Sequence, residues 1–182
     1  MSLTFILGGA RSGKSIYAQK LAGEPGQSVL YVATAEALDD EMRSRIEAHR
    51  RARPSTWVTV EARSGIARAI EGRIVDAGIV VIDCLTLLVA NIMGGEAPDM
   101  EEWRQRTAAE VEEIIALVDA VPSHFIVVSN EVGLGLVPPN PLARAYRDIL
   151  GEANQMLAAR AEEVYFMVAG IPIPLKKEGH SR

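Results

Sequence analysis

Short, unbroken apolar runs alternate along the chain with longer segments in which apolar residues recur at helical spacing. The apolar runs predict strands at Leu3–Leu7, Ser28–Ala33, Ile79–Asp83, Phe125–Ser129 and Val164–Ala169. Because these runs are continuous rather than alternating, we expect both faces of each strand to be buried, as in a parallel sheet. Trp57–Glu61 is a weaker candidate, typical of an edge strand or a shorter strand.

The segments between these strands show helical patterns. They predict helices at Lys14–Ala22, Asp39–Arg53, Pro98–Asp119 and Leu142–Glu162. Pro98 suits the first turn of its helix, where a missing N–H is tolerated. The alternation predicts an α/β fold with right-handed crossovers and a mostly parallel central sheet flanked by helices. No internal repeat or linker is evident, so we expect residues 1–182 to form a single domain.

The composition narrows the class of protein. The chain has 182 residues, of which 48% are hydrophobic and 24% are charged, and its formal net charge is −5. This acidic balance argues against general nucleic-acid binding, which favours an extended basic face. No apolar run approaches the roughly 18 to 20 residues of a membrane helix, and the N-terminus lacks signal-peptide features. Cys84 is the single cysteine, so we expect no internal disulfide and a cytoplasmic protein.

A glycine-rich loop follows the first predicted strand. Residues 8–15 read GGARSGKS and contain the pattern G-x-x-x-x-G-K-S as Gly8, Gly13, Lys14 and Ser15. In such a loop the backbone N–H groups face phosphate oxygens, the lysine reaches the β- and γ-phosphates, and the hydroxyl ligates Mg²⁺. The helix that follows directs its positive N-terminal end at the same anion. Because the motif lies between a strand and a helix, as this mechanism requires, it predicts nucleotide binding.

Asp83 ends the apolar strand IVVID and is a second candidate for the nucleotide site. A carboxylate at a strand end commonly completes the Mg²⁺ shell of a phosphate loop. The alternative is that Asp83 caps a helix formed by CLTLLVAN. The presence of the phosphate loop favours the metal role, and we expect Cys84 beside it to serve in packing.

His49 lies in RIEAHRRARP, the most basic run of the chain. On a helix it lies at the border between two rows of side chains. The apolar row is Leu38, Met42, Ile46 and His49, and the basic row is Arg45, His49 and Arg53. Pro54 disfavours helical geometry at the preceding residue, so His49 falls in or near the last turn. The spacing alone leaves three readings open: a solvated helix end that complements the helix dipole, a phosphate clamp made by the arginines, and a reactive histidine.

Several segments resemble, in the same order, those of the bifunctional adenosylcobinamide kinase/adenosylcobinamide-phosphate guanylyltransferases. They are GGARSGKS, VATAEALDDEMRSRIEAHRRARPSTWVTVE, VIDCLTLLVAN, SNEVGLGLVP and RAYRDILGEANQMLAARAEEVYFMVAGIPIPLK. The resemblance extends from about Leu3 to Lys176, which is nearly the whole chain. It implies a RecA-like P-loop NTPase fold, in agreement with the α/β pattern.

The resemblance implies two reactions of cobalamin biosynthesis. ATP or GTP phosphorylates adenosylcobinamide, and GMP then passes from GTP to adenosylcobinamide phosphate, giving adenosylcobinamide-GDP and pyrophosphate. The transfer in this family proceeds through a GMP–histidine intermediate, whose histidine corresponds to His49, with Lys14 as a further catalytic residue. The implied Mg²⁺ ligands are Ser15 and Asp83. The implied nucleotide-binding residues are Gly8, Gly9, Ala10, Arg11, Ser12, Gly13, Lys14, Ser15, Ala33, Thr34, Ala35, Arg50, Arg51, Ala52, Arg53, Glu61 and Asp83.

Other functions and roles stay open at this point. One alternative is a simple P-loop small-molecule kinase in which the His49 run only clamps phosphate, and another is a non-catalytic RecA-like nucleotide-binding module. For the general base of the kinase step, Asp83, Glu131 and Asp148 are equal candidates. Asn130 follows a strand and is expected near the substrate. We expect a homo-oligomer without nucleic-acid partners or membrane insertion.

Overall fold

A mostly parallel sheet lies at the centre of the computed structural model, which describes residues 2–23, 26–36, 40–94 and 99–177, apart from the side chains of residues 41, 42, 45 and 52. The strands are β1 (Ser2–Gly8), β2 (Val29–Ala33), β3 (Val58–Glu61), β4 (Ile79–Asp83), β5 (His124–Asn130), β6 (Glu163–Val168) and β7 (Ile171–Lys176). Their order is β3-β2-β4-β5-β1-β6-β7. β7 runs antiparallel to β6, and the other pairings are parallel.

Helices cover both faces of this sheet. They are α1 (Lys14–Ala22), α2 (Asp40–Ala52), α3 (Ile66–Ile70), α4 (Leu85–Met93), α5 (Met100–Ala120) and α6 (Pro141–Arg160), with a short 3₁₀ helix at Ile74–Asp76. Successive strand residues point to opposite faces. Phe5 therefore joins the core under α3 to α6, whereas Ile6 joins the core under α1. Both faces are buried, which explains why the strands read as continuous apolar runs.

The predicted α/β class is confirmed, and each predicted strand and helix is present with ends that differ by at most about two residues. The helix predicted from Pro98 begins at Met100, after the cap Asp99, and the helix predicted to Glu162 ends at Arg160. The strand predicted at Trp57–Glu61 is β3, which is an edge of the sheet. The predicted Asp39–Arg53 helix is described from Asp40 to Ala52. Leu38 and Pro98 lie outside the described residues, and so do the side chains of Met42 and Arg45.

β7 is absent from the pattern-based prediction. Its sequence IPIPLK contains Pro172 and Pro174, and proline depletes a strand of backbone donors. The strand is tolerated because it lies at the edge of the sheet, beside β6 alone. An edge position removes the need for donors on the outer side. The short helix α3 was likewise not predicted.

The register of the parallel strands brings the carboxyl ends of four strands to the same end of the sheet. Gly8 on β1 pairs with Asn130 on β5, and Ala33 on β2 pairs with Asp83 on β4. Ligands of open α/β sheets bind in the crevice outside these carboxyl ends. The phosphate loop and Asp83 therefore face the same crevice, although 67 intervening residues separate Ser15 from Asp83 in the sequence.

None of the helices in the described part of the chain has both the length and the apolar character needed to cross a bilayer.

Gly8 ends β1 at the start of the phosphate loop and packs closely against β6. Its φ is 154°, and a Cβ at this residue would lie 2.6 Å from the carbonyl oxygen of Met167. We predict that Gly8→Ala lowers the free energy of unfolding by about 1–3 kcal/mol, because backbone atoms of β6 would have to move. Urea denaturation would measure the change.

Gly72→Ala is the matched control. A Cβ at Gly72 would meet no atom within 4 Å. We expect its free energy of unfolding to stay within about 0.5 kcal/mol of the parent chain or to rise slightly. Equal losses in both variants would contradict the close approach at Gly8.

Candidate active site

The phosphate loop joins β1 to α1 and is shaped by its glycines. Gly13 has φ 96° and precedes Lys14, the first residue of α1, without a side-chain cap on the helix. The first N–H groups of α1 therefore lack a capping side chain and are suited to an anion. Gly170, in the turn between β6 and β7, packs on the loop: its N–H donates to Ser12 O at 2.9 Å.

Lys14 is held inside this loop. Its side chain is buried, and Nζ donates to the Gly9 carbonyl at 2.6 Å and to Ser12 Oγ at 3.5 Å. Burial lowers the pKa of Lys14 below its ordinary value, and the nearby Cys84 and Asp83 oppose that change. An anionic phosphate placed in the loop would favour the charged lysine further.

A cavity of about 470 Å³ opens above the loop, within the size range of small-molecule sites. It brings together two segments that are distant in the sequence, the phosphate loop and the C-terminal part of α2. The predicted site residues that line it are Ala10, Arg11, Ser12, Gly13, Lys14, Ser15, Ala33, Ala35, His49, Arg53 and Asp83. Residues that line it without having been predicted as nucleotide ligands are Ile16, Tyr31, Ile46, Cys84, Leu87, Val128 and Asn130.

Other predicted nucleotide-binding residues do not line this cavity. Arg50 and Arg51 are exposed on α2, and Arg51 pairs with Glu47 at 3.3 Å. Glu61 is exposed at the end of the edge strand β3. Gly8 and Gly9 belong to the base of the loop, Thr34 is fully buried behind the wall, and the side chain of Ala52 is outside the described residues.

His49 is exposed to the cavity from the last turn of α2. The described side chains of this helix are exposed apart from Ile46, which is partly buried and also lines the cavity. The apolar row predicted for α2 therefore places His49 beside Ile46 on the side of the cavity. His124 lies at the opposite end of the sheet, where its ring nitrogens contact Ser2 Oγ and Thr4 Oγ1. His180 lies outside the described residues.

Asp83 lies at the end of β4, and its carboxylate has a buried partner. Tyr31 OH donates to Asp83 Oδ2 at 2.5 Å. The residue before α4 is Cys84 rather than Asp83, so the alternative role of Asp83 as the helix cap is wrong. The peptide bond between these two residues is cis. Burial and the Asp83 charge raise the pKa of the Cys84 thiol to about 11, which agrees with a packing role.

Tyr31 also connects Asp83 to the end of α2. The Arg53 guanidinium lies 3.7 Å from the centre of the Tyr31 ring, and the Trp57 ring is stacked on Tyr31 with a centroid distance of 6.1 Å. Arg53 Nε is buried and has no hydrogen-bond partner among the described residues. Burial raises the pKa of Tyr31 far above its ordinary value, and the Asp83 carboxylate adds to this effect.

Sequence reasoning missed Tyr31 because the whole of β2 is buried. In a continuous apolar run, nothing in the sequence indicates that the tyrosine hydroxyl bonds a carboxylate on another strand. The strand register is what indicates this contact, because Tyr31 pairs with Val81, two residues before Asp83 on the neighbouring strand.

Thr34 fastens β2 to the segment that follows Asp83. Its Oγ1 donates to Cys84 O and accepts from Cys84 N–H, both at 2.8 Å. Its backbone N–H donates to Asp83 O at 3.1 Å, and Asn91 Nδ2 donates to Thr34 O at 2.9 Å. The buried hydroxyl is thereby satisfied, so Thr34 holds the cavity wall in place.

The end of β5 contributes Val128 and Asn130 to the cavity wall. Asn130 N–H donates to Thr86 Oγ1 at 2.6 Å, and Tyr146 OH donates to Thr86 O at 3.0 Å. Burial raises the pKa of Tyr146 to about 12. Arg144 donates to the carbonyls of Pro138 and Pro139. These contacts hold α4, β5 and α6 together and leave Asn130 against the cavity.

The general-base candidates separate by position. Asp83 lines the cavity, whereas Glu131 accepts from Gly133 N–H and Asp148 pairs with Arg147 at 3.5 Å.

No cluster of three or more His, Cys, Asp or Glu side chains suited to a metal is found among the described residues. A nucleotide-bound Mg²⁺ does not need one, because phosphates and water supply most of its ligands. The side-chain oxygens of Ser15 and Asp83 both lie on the cavity wall and are suitable ligands for Mg²⁺.

The fold and this cavity define a nucleotide-binding protein of the P-loop class. Residues 4–175 match the family model described as "Cobinamide kinase / cobinamide phosphate guanyltransferase". The chain belongs to that family, whose members are bifunctional enzymes.

Three relatives are similar along nearly their whole length. The bifunctional adenosylcobalamin biosynthesis protein CobU of Escherichia coli is 43% identical over 182 residues, covering 96% of this chain and 99% of the relative. CobU of Salmonella typhimurium is 40% identical with the same coverage. CobP of Pseudomonas aeruginosa, which bears the same description, is 43% identical over 173 residues, covering 95% of this chain and 96% of the relative.

The bonds made by Thr34 can be tested by a substitution that keeps the side-chain shape. We predict that Thr34→Val lowers the free energy of unfolding by about 1–3 kcal/mol, because the Cys84 N–H loses its partner in a buried place, while Cys84 O keeps its bond from Leu88 N–H at 3.2 Å. Chemical denaturation monitored by circular dichroism would measure the loss.

Thr59→Val is the control, because Thr59 is exposed on the edge strand β3. A change within about 0.5 kcal/mol is expected there. If Thr34→Val were as mild as the control, the wall would not depend on these hydrogen bonds.

Proposed function

We propose that this chain phosphorylates adenosylcobinamide with ATP or GTP and then transfers GMP from GTP to adenosylcobinamide phosphate through a bond to His49. Family membership supports both reactions. The observation that carries the site assignment is that His49 and the phosphate loop line one cavity. A nucleotide bound by the loop would thus have an imidazole on the opposite wall.

In the first half of the guanylyl transfer, a nitrogen of neutral His49 attacks the α-phosphorus of GTP. An N–P bond forms, the bond from the α-phosphorus to the bridging oxygen breaks, and pyrophosphate leaves with that electron pair. In the second half, an oxygen of adenosylcobinamide phosphate attacks the same phosphorus. The N–P bond then breaks, which regenerates His49 and yields adenosylcobinamide-GDP.

Cationic and N–H groups around the cavity suit the charge that develops in these steps. Lys14 lies at the position that reaches the β- and γ-phosphates in a phosphate loop. Arg53 has a buried Nε–H without a described partner, which a phosphate oxygen could satisfy. We propose that Ser15 and Asp83 hold Mg²⁺, which when bound neutralises phosphate charge.

For the kinase step, the same loop would hold the γ-phosphate while the hydroxyl of adenosylcobinamide attacks it. The hydroxyl gives up its proton to water, the bond between the γ-phosphorus and the bridging oxygen breaks, and a nucleoside diphosphate leaves. Of the three carboxylates considered as the general base, only Asp83 lines the cavity. We assign Asp83 to the Mg²⁺ shell, so this proposal assigns none of the three as the base.

We retain the remaining predicted features as parts of this proposal. Nucleotide contacts are proposed for residues 8–15, 33–35 and 50–53, and for Glu61 and Asp83. The residues that line the cavity support part of this set. We also propose a single catalytic domain, a homo-oligomer, and a cytoplasmic setting in which the single Cys84 stays reduced.

The covalent step makes a direct prediction. Incubation with GTP labelled at the α-phosphate should label the protein through a bond that is labile in acid and stable in alkali, as expected of a phosphoramidate. His49→Ala should abolish the label and the GDP-linked product, because the attacking nitrogen is gone. The same variant should still form adenosylcobinamide phosphate, since the phosphate loop is intact.

Arg43→Ala is the control on the same helix. Arg43 is exposed and pairs with Asp40 at 2.7 Å. Its replacement should leave the label at the parental level. Labelling that survives His49→Ala would refute His49 as the nucleophile, and a chain that never becomes labelled would favour a simple kinase.

Lys14 should serve both reactions. We predict that Lys14→Met lowers kcat for phosphorylation and for guanylyl transfer by roughly 100-fold or more, because one positive charge on the reacting phosphates is lost. Chromatography of adenosylcobinamide incubated with GTP would follow the phosphorylated and GDP-linked products in order.

Lys20→Met provides the comparison, since Lys20 is exposed in the last turn of α1. Its two rates should match those of the parent chain. If Lys14→Met kept one of the two rates, the reactions would not share the phosphate loop. Nucleotide binding without either product would indicate a non-catalytic module.

A further inference from the structure

Tyr31 occupies a position between two functional elements without being a proposed ligand. The residue is 1% exposed on β2, and its hydroxyl donates to Asp83 Oδ2 at 2.5 Å. The ring face holds the Arg53 guanidinium at 3.7 Å. One buried side chain therefore touches both the carboxylate at the end of β4 and the arginine that follows α2.

The hydroxyl restricts what the Asp83 carboxylate can do. A carboxylate at a strand end can rotate about its Cβ–Cγ bond, and this rotation exchanges its two oxygens. A donor on Oδ2 selects one orientation and leaves Oδ1 for another partner. Donors of this kind behind a metal-binding carboxylate orient the ligand and tune its affinity.

The ring contributes through Arg53 in a separable way. Guanidinium groups are attracted to aromatic faces, and this contact needs the ring but not the hydroxyl. Trp57 stacks on Tyr31 with 27° between the ring planes and thereby limits movement of the ring. The hydroxyl and the ring face thus act on different groups, one on Asp83 and one on Arg53.

We propose that Tyr31 is a positioning residue of the nucleotide site: its hydroxyl orients Asp83 for the divalent cation, and its ring places Arg53 for the phosphates. This inference rests on the proposed role of Asp83 in the metal shell. It deepens that role by naming the group on which the geometry of the carboxylate depends. In this proposal Tyr31 acts through Asp83 and Arg53, although its side chain also borders the cavity.

The test replaces the hydroxyl alone. Tyr31→Phe keeps the ring beside Arg53 and Trp57 and removes the donor to Asp83. Binding of Mn²⁺, as the metal probe, would be measured by electron paramagnetic resonance in the presence of α,β-methylene GTP. We expect the affinity for Mn²⁺ to fall roughly tenfold or more. Binding of the same analogue without metal should change by no more than about twofold, because the ring and Arg53 are retained.

A double-mutant cycle separates positioning from a general structural role. Asp83→Asn should weaken Mn²⁺ binding by itself, and adding Tyr31→Phe should then cause no more than about a twofold further loss. Independent losses in the double variant would overturn the claim that Tyr31 acts through Asp83. Tighter Mn²⁺ binding by Tyr31→Phe would overturn it as well, because the hydroxyl would then compete with the metal.

Tyr165→Phe is the matched control. Tyr165 is also a buried tyrosine whose hydroxyl donates to a carboxylate, Glu163 Oε2 at 3.1 Å, but it does not line the cavity. Its Mn²⁺ affinity should equal that of the parent chain. If Asp83→Asn binds Mn²⁺ normally, the proposed metal role of Asp83 fails. If Asp83→Asn is impaired and Tyr31→Phe is not, only the inference on Tyr31 fails.

Discussion

The hydrogen-bonded register of the parallel strands is the constraint on which the site depends. It sets Gly8 opposite Asn130 and Ala33 opposite Asp83, so four strands end along one line. A shift by one residue would turn Asp83 to the other face of the sheet. Because both faces are packed under helices, such a shift would also exchange the side chains of the two cores and disrupt their packing. Core packing therefore fixes the geometry of the crevice.

Local polar contacts then hold the ends of these strands. Thr34 bonds both backbone groups of Cys84, and Thr86 joins α4 to β5. These buried groups would be costly to leave without partners, so their hydrogen bonds hold this part of the cavity wall in place. By contrast, α2 exposes most of its described side chains, and His49 reaches the cavity from this less buried helix. The proposed covalent role of His49 would combine access to the nucleotide from this helix with a phosphate loop on the opposite wall.

The parts predicted from sequence are those whose signal is local. The phosphate loop is recognised from its glycines, Lys14 and Ser15, which lie within eight consecutive residues. The flanking strand and helix are recognised from the spacing of their apolar residues. β7 escaped prediction because Pro172 and Pro174 argue against a strand, and only an edge position makes them acceptable. Tyr31 escaped because its partner, Asp83, is 52 residues away on a neighbouring strand. Arg50 and Arg51 were included because the resemblance implies GTP contacts at these positions, whereas here they are exposed on α2 and do not line the cavity.

The sequence by itself determined the α/β class, the phosphate loop, the strand-end carboxylate and the membership suggested by its motifs. These depend on residue types at short, fixed spacings, which a linear chain displays directly. Tertiary structure alone decided that His49 shares a cavity with Lys14, that Arg53 rather than Arg50 or Arg51 faces it, and that Tyr31 bonds Asp83. The physical reason is that strand order and register, which follow from packing the whole core, set distances between residues far apart in the chain.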